Sequence, residues 1–428
     1  MLSKRIEDYQ CEVEYLECVR PFYSGASGND KKAYLSLVRK GPTSFSLERE
    51  FLIEWKARRL RPILDLLTDD EREGLTEEVE ISKNLPKKAI RHPVVSTWSG
   101  PTSEYSLSDL QQKSVPEIIA LLKGWTPDGK LFSPSRTGLS RTFGTLVSLE
   151  PKKFVDKIEL FDPLEIRPVY FYQLIDSVKL AIRNDGFHEA KPILNLIHRI
   201  IELAKNGRLE VGGDLETLES DWTGVFQSIA WLFAEAIHKL DLDPMSDECS
   251  QCFGSIEFVL AYPDPVRKNE SKYLSDGRDP MDLAVNSLRG WAERAHVRFL
   301  GWYAGNTDPE ERAEFYDRGM EWYRKKLQDP NISIVTACQI GEFLPWIFKL
   351  DPDIGKLAVN TLFVSRDPRI AWSTWAGYAR NSVWAVVHKE LKSAYEYLLN
   401  ELWNAMPGFL EKNDYKLTLG RHLLTAYF

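Results

Sequence analysis

Apolar residues recur at three- and four-residue intervals along most of this chain, the spacing that lines one face of a helix. SLEREFLIEWKARRLRPILDLL (46–67), RPVYFYQLIDSVKLAIRNDG (167–186) and AKPILNLIHRIIELAKNG (190–207) all show it, and the last two close on glycine, the residue favoured just past a helix end. ESDWTGVFQSIAWLFAEAIHKL and DLAVNSLRGWAERAHVRFLGWYAGN continue the pattern. At about 100° per residue, the helix from Trp222 to Leu240 is predicted to turn Trp222, Phe226, Ile229, Phe233 and Ile237 inward. Ile193, Ile197, Ile200 and Ala204 form the same kind of face one helix earlier. Strand-like alternation is scarce, and AIRHPVVSTW (89–98) is its best instance. The pattern predicts an all-α fold.

The punctuation between these helices is unusual. Asp-Pro occurs eight times, at Asp162, Asp243, Asp264, Asp279, Asp308, Asp329, Asp351 and Asp367. Proline pushes the residue before it into extended geometry. Aspartate so placed accepts the free amides of a helix start, and proline fits the first turn because it has no amide to satisfy. Each pair is therefore a predicted helix start. Asp264 to Asp308 spans 44 residues and Asp308 to Asp351 spans 43. Helical hairpins of the HEAT and armadillo kind repeat every 40–47 or so residues. The expectation is an irregular HEAT-like α-solenoid, a stack of helical hairpins with no single central core.

Residues 84–134 differ: NLPKKAIRHPVVSTWSGPTSEYS and GWTPDGKLFSPSRTG are rich in Pro, Gly, Ser and Thr and flank two short helices near 106–112 and 115–123. Three regions follow: an N-terminal helical unit (1–83), a loop-rich connector (84–134) and a helical-repeat array (135–428). Ten of the 13 tryptophans lie after residue 220. Trp291, Trp302, Trp322, Trp346, Trp372, Trp375, Trp384 and Trp403 fall within helical stretches, where large aromatics are expected to fill the gaps between hairpins.

Composition adds limits. With 43% hydrophobic and 28% charged residues the chain is foldable throughout. A net charge of −8 argues against a nucleic-acid partner, which calls for a basic stripe. Basic residues cluster only locally, at Lys56–Arg61 and Lys87, Lys88 and Arg91. No segment reads as a signal peptide or a membrane span, so no membrane partner is expected. Five cysteines, Cys11, Cys18, Cys249, Cys252 and Cys338, are an odd, sparse set that suits reduced thiols in a cytoplasm.

Four motifs invite a chemical reading. Gly124 to Leu131 (GWTPDGKL) approaches the phosphate-binding pattern G-x-x-x-x-G-K-[ST], but Leu131 stands where a magnesium-binding hydroxyl belongs, a helix precedes it and Pro134 follows. A turn on Pro127-Asp128-Gly129 is expected instead. Glu202, Glu235…His238, Glu257 and Glu293…His296 repeat the ligand order of ferritin-like di-iron bundles. Glu235 and His238 oppose the apolar face of their helix, and Glu202 opposes its own, so the set is assigned to solvated faces. Cys249-Ser-Gln-Cys252 has zinc-ligand spacing, but a second CxxC is missing, and buried thiols are expected. Glu54-Trp-Lys56 matches the end of restriction-type nuclease sites, yet it runs on helically. His92, His188, His198, His388 and His422 have no evident catalytic neighbour in sequence. No catalytic residue, cofactor or metal site is assigned.

Two stretches carry a resemblance. WSGPTSEYSLSDL…VPEIIALLKGW…SPSRTGLSRTF and SRDPRIAWSTWAGYARNSVWAVVHKELKSAYEYLL (365–399) resemble the C-terminal helical-repeat region of large bacterial anti-phage defence proteins, in which that region follows an NTPase or other effector domain. The resemblance covers about residues 45–400 and implies a sensor or scaffold whose partner is an effector NTPase or a phage protein. No effector module is read in this sequence. The functional expectation is a non-catalytic protein-recognition scaffold. The alternatives are a metal-dependent enzyme using the two Glu-x-x-His pairs and a nucleic-acid scaffold.

Overall fold

A computed structural model describes residues 12–41, 49–85, 101–128, 133–209, 221–276, 278–310, 313–403 and 414–427. Among them the structure is all-helical, and the sole trace of β pairing is an isolated bridge between Glu189 and Asp241. The strand-like stretch 89–98 lies outside the described residues. No described helix is long and apolar enough to cross a membrane. The chain forms two units, Met1–Ser99 and Gly100–Phe428.

The first unit contains α1 (Glu12–Gly25), α2 (Gly28–Lys40), α3 (Arg49–Leu60) and α4 (Thr76–Asn84). Its core gathers Tyr23, Tyr34, Leu35, Val38, Leu60 and Ile63. The buried Arg59 stacks 3.8 Å from the Trp55 ring centre and donates to the Trp55 carbonyl, so its charge is not left bare. Glu54-Trp-Lys56 lies inside α3, with Glu54 bound to Arg58 one turn on and Lys56 facing Glu78.

The second unit begins with α5 (Leu107–Gln111) and α6 (Val115–Gly124), followed by α7 (Arg136–Leu149), α8 (Pro168–Arg183), α9 (Ala190–Lys205), α10 (Trp222–Ala236) and α11 (Asp247–Ala261). Then come α12 (Arg267–Ser275), α13 (Pro280–Val285), α14 (Leu288–Asn306), α15 (Ala313–Gln328), α16 (Ile334–Leu350), α17 (Pro352–Ala358) and α18 (Pro368–Tyr378). Short helices α19 (Ala385–Glu390) and α20 (Lys392–Tyr397) precede α21 (Tyr415–Tyr427). Where the sequence reading sets residues 84–134 apart as a connector, residues 101–128 pack into this unit. Leu110, Val115, Ile118, Ile119 and Leu122 join its hydrophobic core, and α5 packs on α7.

Packing follows chain order. α7, α8, α10, α14, α16 and α18 form a row in which each helix touches the next, while α9 packs on α11 and α15 on α17 beside it. The predicted core faces are in place: Ile193, Ile197 and Ile200 of α9 are buried, as are Trp222, Phe226, Ile229 and Phe233 of α10 with Ile237 just beyond it. Close approach within the row is secured by glycine. A Cβ on Gly341 of α16 would collide with the Thr374 carbonyl of α18, and one on Gly377 of α18 would collide with the Cys338 carbonyl of α16. Tyr415 of α21 donates to Asp279 at 2.8 Å, tying the last helix to the start of α13.

Six of the eight Asp-Pro pairs divide into two groups. Asp279, Asp351 and Asp367 cap α13, α17 and α18, each accepting the amide two residues on, with proline at the first helical position. Asp162, Asp243 and Asp329 accept the same amide, from Leu164, Met245 and Asn331, but the chain makes a turn there and the following helix starts later. The Asp264–Pro265 peptide is cis and α12 starts at Arg267. The local mechanism is thus present at six pairs and opens a helix at three. Asp264 begins no helix, so the 44-residue interval does not mark a repeat of helix starts.

Candidate functional site

Three places on the second unit concentrate chemistry. The first is a cleft of about 230 Å³ lined by Glu270, Leu327, Asp329, Thr361, Ser365 and Arg369, among others. A π-helical turn at Val359–Phe363 supplies Thr361, the kind of irregularity that recurs at functional sites. The acid here is fully engaged. Glu270 is 3% exposed and accepts from Arg289 (2.6 Å), the Ser333 hydroxyl (2.6 Å) and the Ile334 amide (3.2 Å). It anchors α16 to α12 and α14. Arg369 is likewise bound to Asp367. Of the charged groups lining the cleft, Glu270, Asp367 and Arg369 are spent on protein partners, while Asp329 accepts the Asn331 amide.

The second place is interior. Glu293 and His296 of α14 are 4% and 1% exposed. The assignment of all four carboxylates and both histidines to solvated faces is corrected for this pair: α14 touches α10, α11, α15 and α16, so little of its circumference meets water. Glu293 accepts from the Thr336 hydroxyl at 2.5 Å through Oε1, while Oε2 has no partner. Burial pushes its carboxyl up to about 7, against the Thr336 bond and the charges of Arg289 and Lys326. His296 lies among Trp322, Tyr323 and Phe253, with the Tyr323 ring stacked at 5.4 Å, and its Nδ1 has no partner. Burial pushes the imidazole down to about 3. Both groups are neutral near pH 6, which is how an unpaired carboxyl and imidazole tolerate a dry interior.

The remaining members of the di-iron-like set are on other surfaces. Glu235 binds Arg183, Glu202 binds Lys205, Glu257 binds Arg318, and His238 is exposed. Each carboxylate has its own partner, so they do not converge on one point. Among the described residues no group of three or more His, Cys, Asp or Glu side chains is gathered around a possible ion. Cys249 and Cys252 share the buried face of α11. Burial raises both thiols, Cys249 to about 12, so neither supplies a thiolate at neutral pH. In the phosphate-loop lookalike, α6 ends at Gly124 and the Trp125 indole donates to Glu104 at 2.7 Å, whereas Gly129, Lys130 and Leu131 lie outside the described residues.

The third place was invisible in sequence. Four helices of the row place aromatic rings along one flank, and three of them add cations. Tyr172 of α8 lies 6.4 Å from Trp231 of α10, which meets Trp291 of α14 edge-to-face at 5.3 Å. Lys179 of α8 sits 4.6 Å above the Trp231 ring. The Arg294 guanidinium lies 5.0 Å from Trp291 and 5.3 Å from Phe343 of α16. Arg298 continues the line at 5.7 Å from Phe343 and 5.3 Å from Trp346, and Lys349 caps it at 5.6 Å from Trp346. The spacing within each helix explains the alignment: 172 and 179, then 291, 294 and 298, then 343, 346 and 349 each fall on one side of a helix. Trp372 and Trp375 fill the interior as expected, but Trp231, Trp291 and Trp346 are only half-buried.

Charge along this ridge is uneven. Lys179 is bound to Asp176, and Arg294 to Glu342 at 2.6 Å. Arg298 and Lys349 are exposed, and among the described residues neither is in an ion pair. Partial burial and the neighbouring Arg294 hold the Arg298 guanidinium below its ordinary value, with Glu342 opposing. Comparison with family models, curated proteins and solved structures returns no match.

Proposed function

We propose that the second unit is an irregular HEAT-like solenoid and that it works as a non-catalytic scaffold, recognising a protein segment along the ridge from Tyr172 to Lys349. The order-preserving row of helices from α7 to α18 supports the solenoid, because each helix packs chiefly on its neighbours in the stack. One observation carries the function: rings from four separate helices, with the cations of Lys179, Arg294, Arg298 and Lys349 against them, form one line in which Trp231, Trp291 and Trp346 are half-buried. Interfaces are enriched in Trp, Tyr, Phe and Arg, and binding energy concentrates on such anchors. Nothing comparable favours chemistry, since the buried Glu293 and His296 are sealed among aromatic rings and the cleft acid is spent on Arg289, Ser333 and Ile334.

The buried thiols of Cys249, Cys252 and Cys338 support a cytoplasmic setting. In the defence context implied by the sequence resemblance, the partner is an effector NTPase or a phage protein. The test is affinity capture from extract of the native host, with and without infection, comparing the wild type with Trp291→Ala/Trp346→Ala. A protein captured by the wild type, lost in the double variant and retained by a variant altered at Lys205 on α9 is the expected result. Equal capture by all three chains removes the ridge as the working surface.

A further inference from the structure

The ridge has two ends of different character. From Tyr172 to Arg294 each cation is matched: Lys179 by Asp176, Arg183 by Glu235, Arg294 by Glu342. At the other end Arg298 and Lys349 flank the half-buried Trp346, and among the described residues neither is in an ion pair, Glu342 being bound to Arg294. Arg298 is held between the Phe343 and Trp346 rings, so its guanidinium is oriented before any ligand arrives. Gly301 of α14 faces the Trp346 ring, and a Cβ there would meet it at an ordinary contact distance of 3.8 Å.

We propose that the segment recognised on this ridge is acidic at one point: it sets an Asp or Glu carboxylate against Arg298 and Lys349 and lays an apolar side chain on Trp346. This rests on the protein-recognition reading above. A planar guanidinium takes a carboxylate through two parallel bonds, and the flanking rings exclude water from the pair. The same charge pattern disfavours a nucleic acid. A strand presents phosphate at every step, and Asp176, Glu235 and Glu342 would repel it along the rest of the ridge, in a chain whose net charge is −8. A peptide with one localised carboxylate and apolar neighbours meets both ends.

The experiment pans a random-peptide display library on the full chain and measures the enriched peptides by fluorescence anisotropy. The chains compared are the wild type, Arg298→Glu, Lys349→Glu, Trp346→Ala and a Lys205→Ala control, each checked for its far-UV circular dichroism and melting. Both cations are exposed, so one charge-reversed chain remains readable if the other unfolds. Expected are peptides bearing Asp or Glu beside an apolar residue, bound about tenfold or more weakly by Arg298→Glu. Exchanging the peptide acid for Lys restores binding to that variant. Peptides that need Trp346 but ignore both charge reversals overturn the acidic partner and leave the ridge standing. Peptides indifferent to Trp346→Ala as well, or no enrichment at all, overturn the ridge reading itself. Single-stranded DNA bound more tightly than any peptide at physiological salt, and released by Arg298→Glu, overturns the proposal in favour of nucleic acid.

Discussion

Glu293 and His296 stand one turn apart on α14, both sealed from water, and burial moves their protonation in opposite directions. The folded carboxyl keeps its proton to about 7 against 4.5 for a free one. Its contribution to stability is complete below 4.5 and is lost as pH rises towards 7. The folded imidazole stays neutral down to about 3 against 6.5, so its contribution is complete above 6.5 and is lost as pH falls towards 3. Between 4.5 and 6.5 the two slopes cancel.

Single substitution should unmask each slope. Relative to wild type, Glu293→Gln gains stability as pH rises from 4.5 to 7, by up to about 1.4 kcal/mol per pH unit. His296→Phe gains relative stability as pH falls from 6.5 towards 3. The charged neighbours Arg289, Lys326 and Glu270 are common to both chains and drop out of the difference. Urea unfolding across that pH range reads both curves. Difference curves of the same sign would show that the two groups are not held neutral.

The burial of this pair also shows what the sequence left hidden. The core faces of α9 and α10 were legible because each helix has one dry side and one wet side, and three- to four-residue spacing records that directly. α14 packs on five other helices, so its polar residues are not sorted by a single boundary. The ridge was hidden for a different reason. Trp231, Trp291 and Trp346 are separated by more than fifty residues at each step and become neighbours only through the stacking of helices. Periodicity describes one helix at a time and is silent on that.

The Asp-Pro pairs make the same distinction at the scale of one turn. Asp351 accepts the amides of Asp353 and Ile354 at 2.9 and 3.1 Å and also meets Arg324, whereas Asp329 accepts only Asn331 within its turn. Asp351→Ala should therefore cost about 1 kcal/mol or more of stability. Asp329→Ala should cost a few tenths, as for a substitution in an exposed turn. Paired denaturant melts decide this. Equal losses would mean that the carboxylate serves the turn alone and that the helix end adds nothing.

Thiol chemistry offers a solution check on the interior. Cys249, Cys252 and Cys338 are buried with their thiols held above the ordinary value, and Cys18 is exposed. Alkylation requires both thiolate and access. Under native conditions iodoacetamide should label Cys18 and leave those three unmodified until denaturant is added, as read by peptide mass spectrometry. Fast native labelling of Cys249 or Cys252 would mean that α11 does not pack as described.

Glycine gives the sharpest test of the row itself. At Gly341 and Gly377 the backbones of α16 and α18 approach so closely that each added methyl would strike the other helix's carbonyl oxygen. Backbone cannot rotate aside as a side chain can, so the helices must separate. The separation would disturb Trp375, Cys338 and Phe343, which are buried around that contact. Gly341→Ala or Gly377→Ala should cost several kcal/mol, within the upper range for overpacking. Gly254 is the control. It lies inside α11, nothing stands within 4 Å of its added Cβ, and alanine is the better helix former. Gly254→Ala should stabilise by about 0.5–1 kcal/mol. If Gly341→Ala and Gly254→Ala shift the melting temperature in the same direction, α16 and α18 are not in contact at these residues. The row would then end at α16.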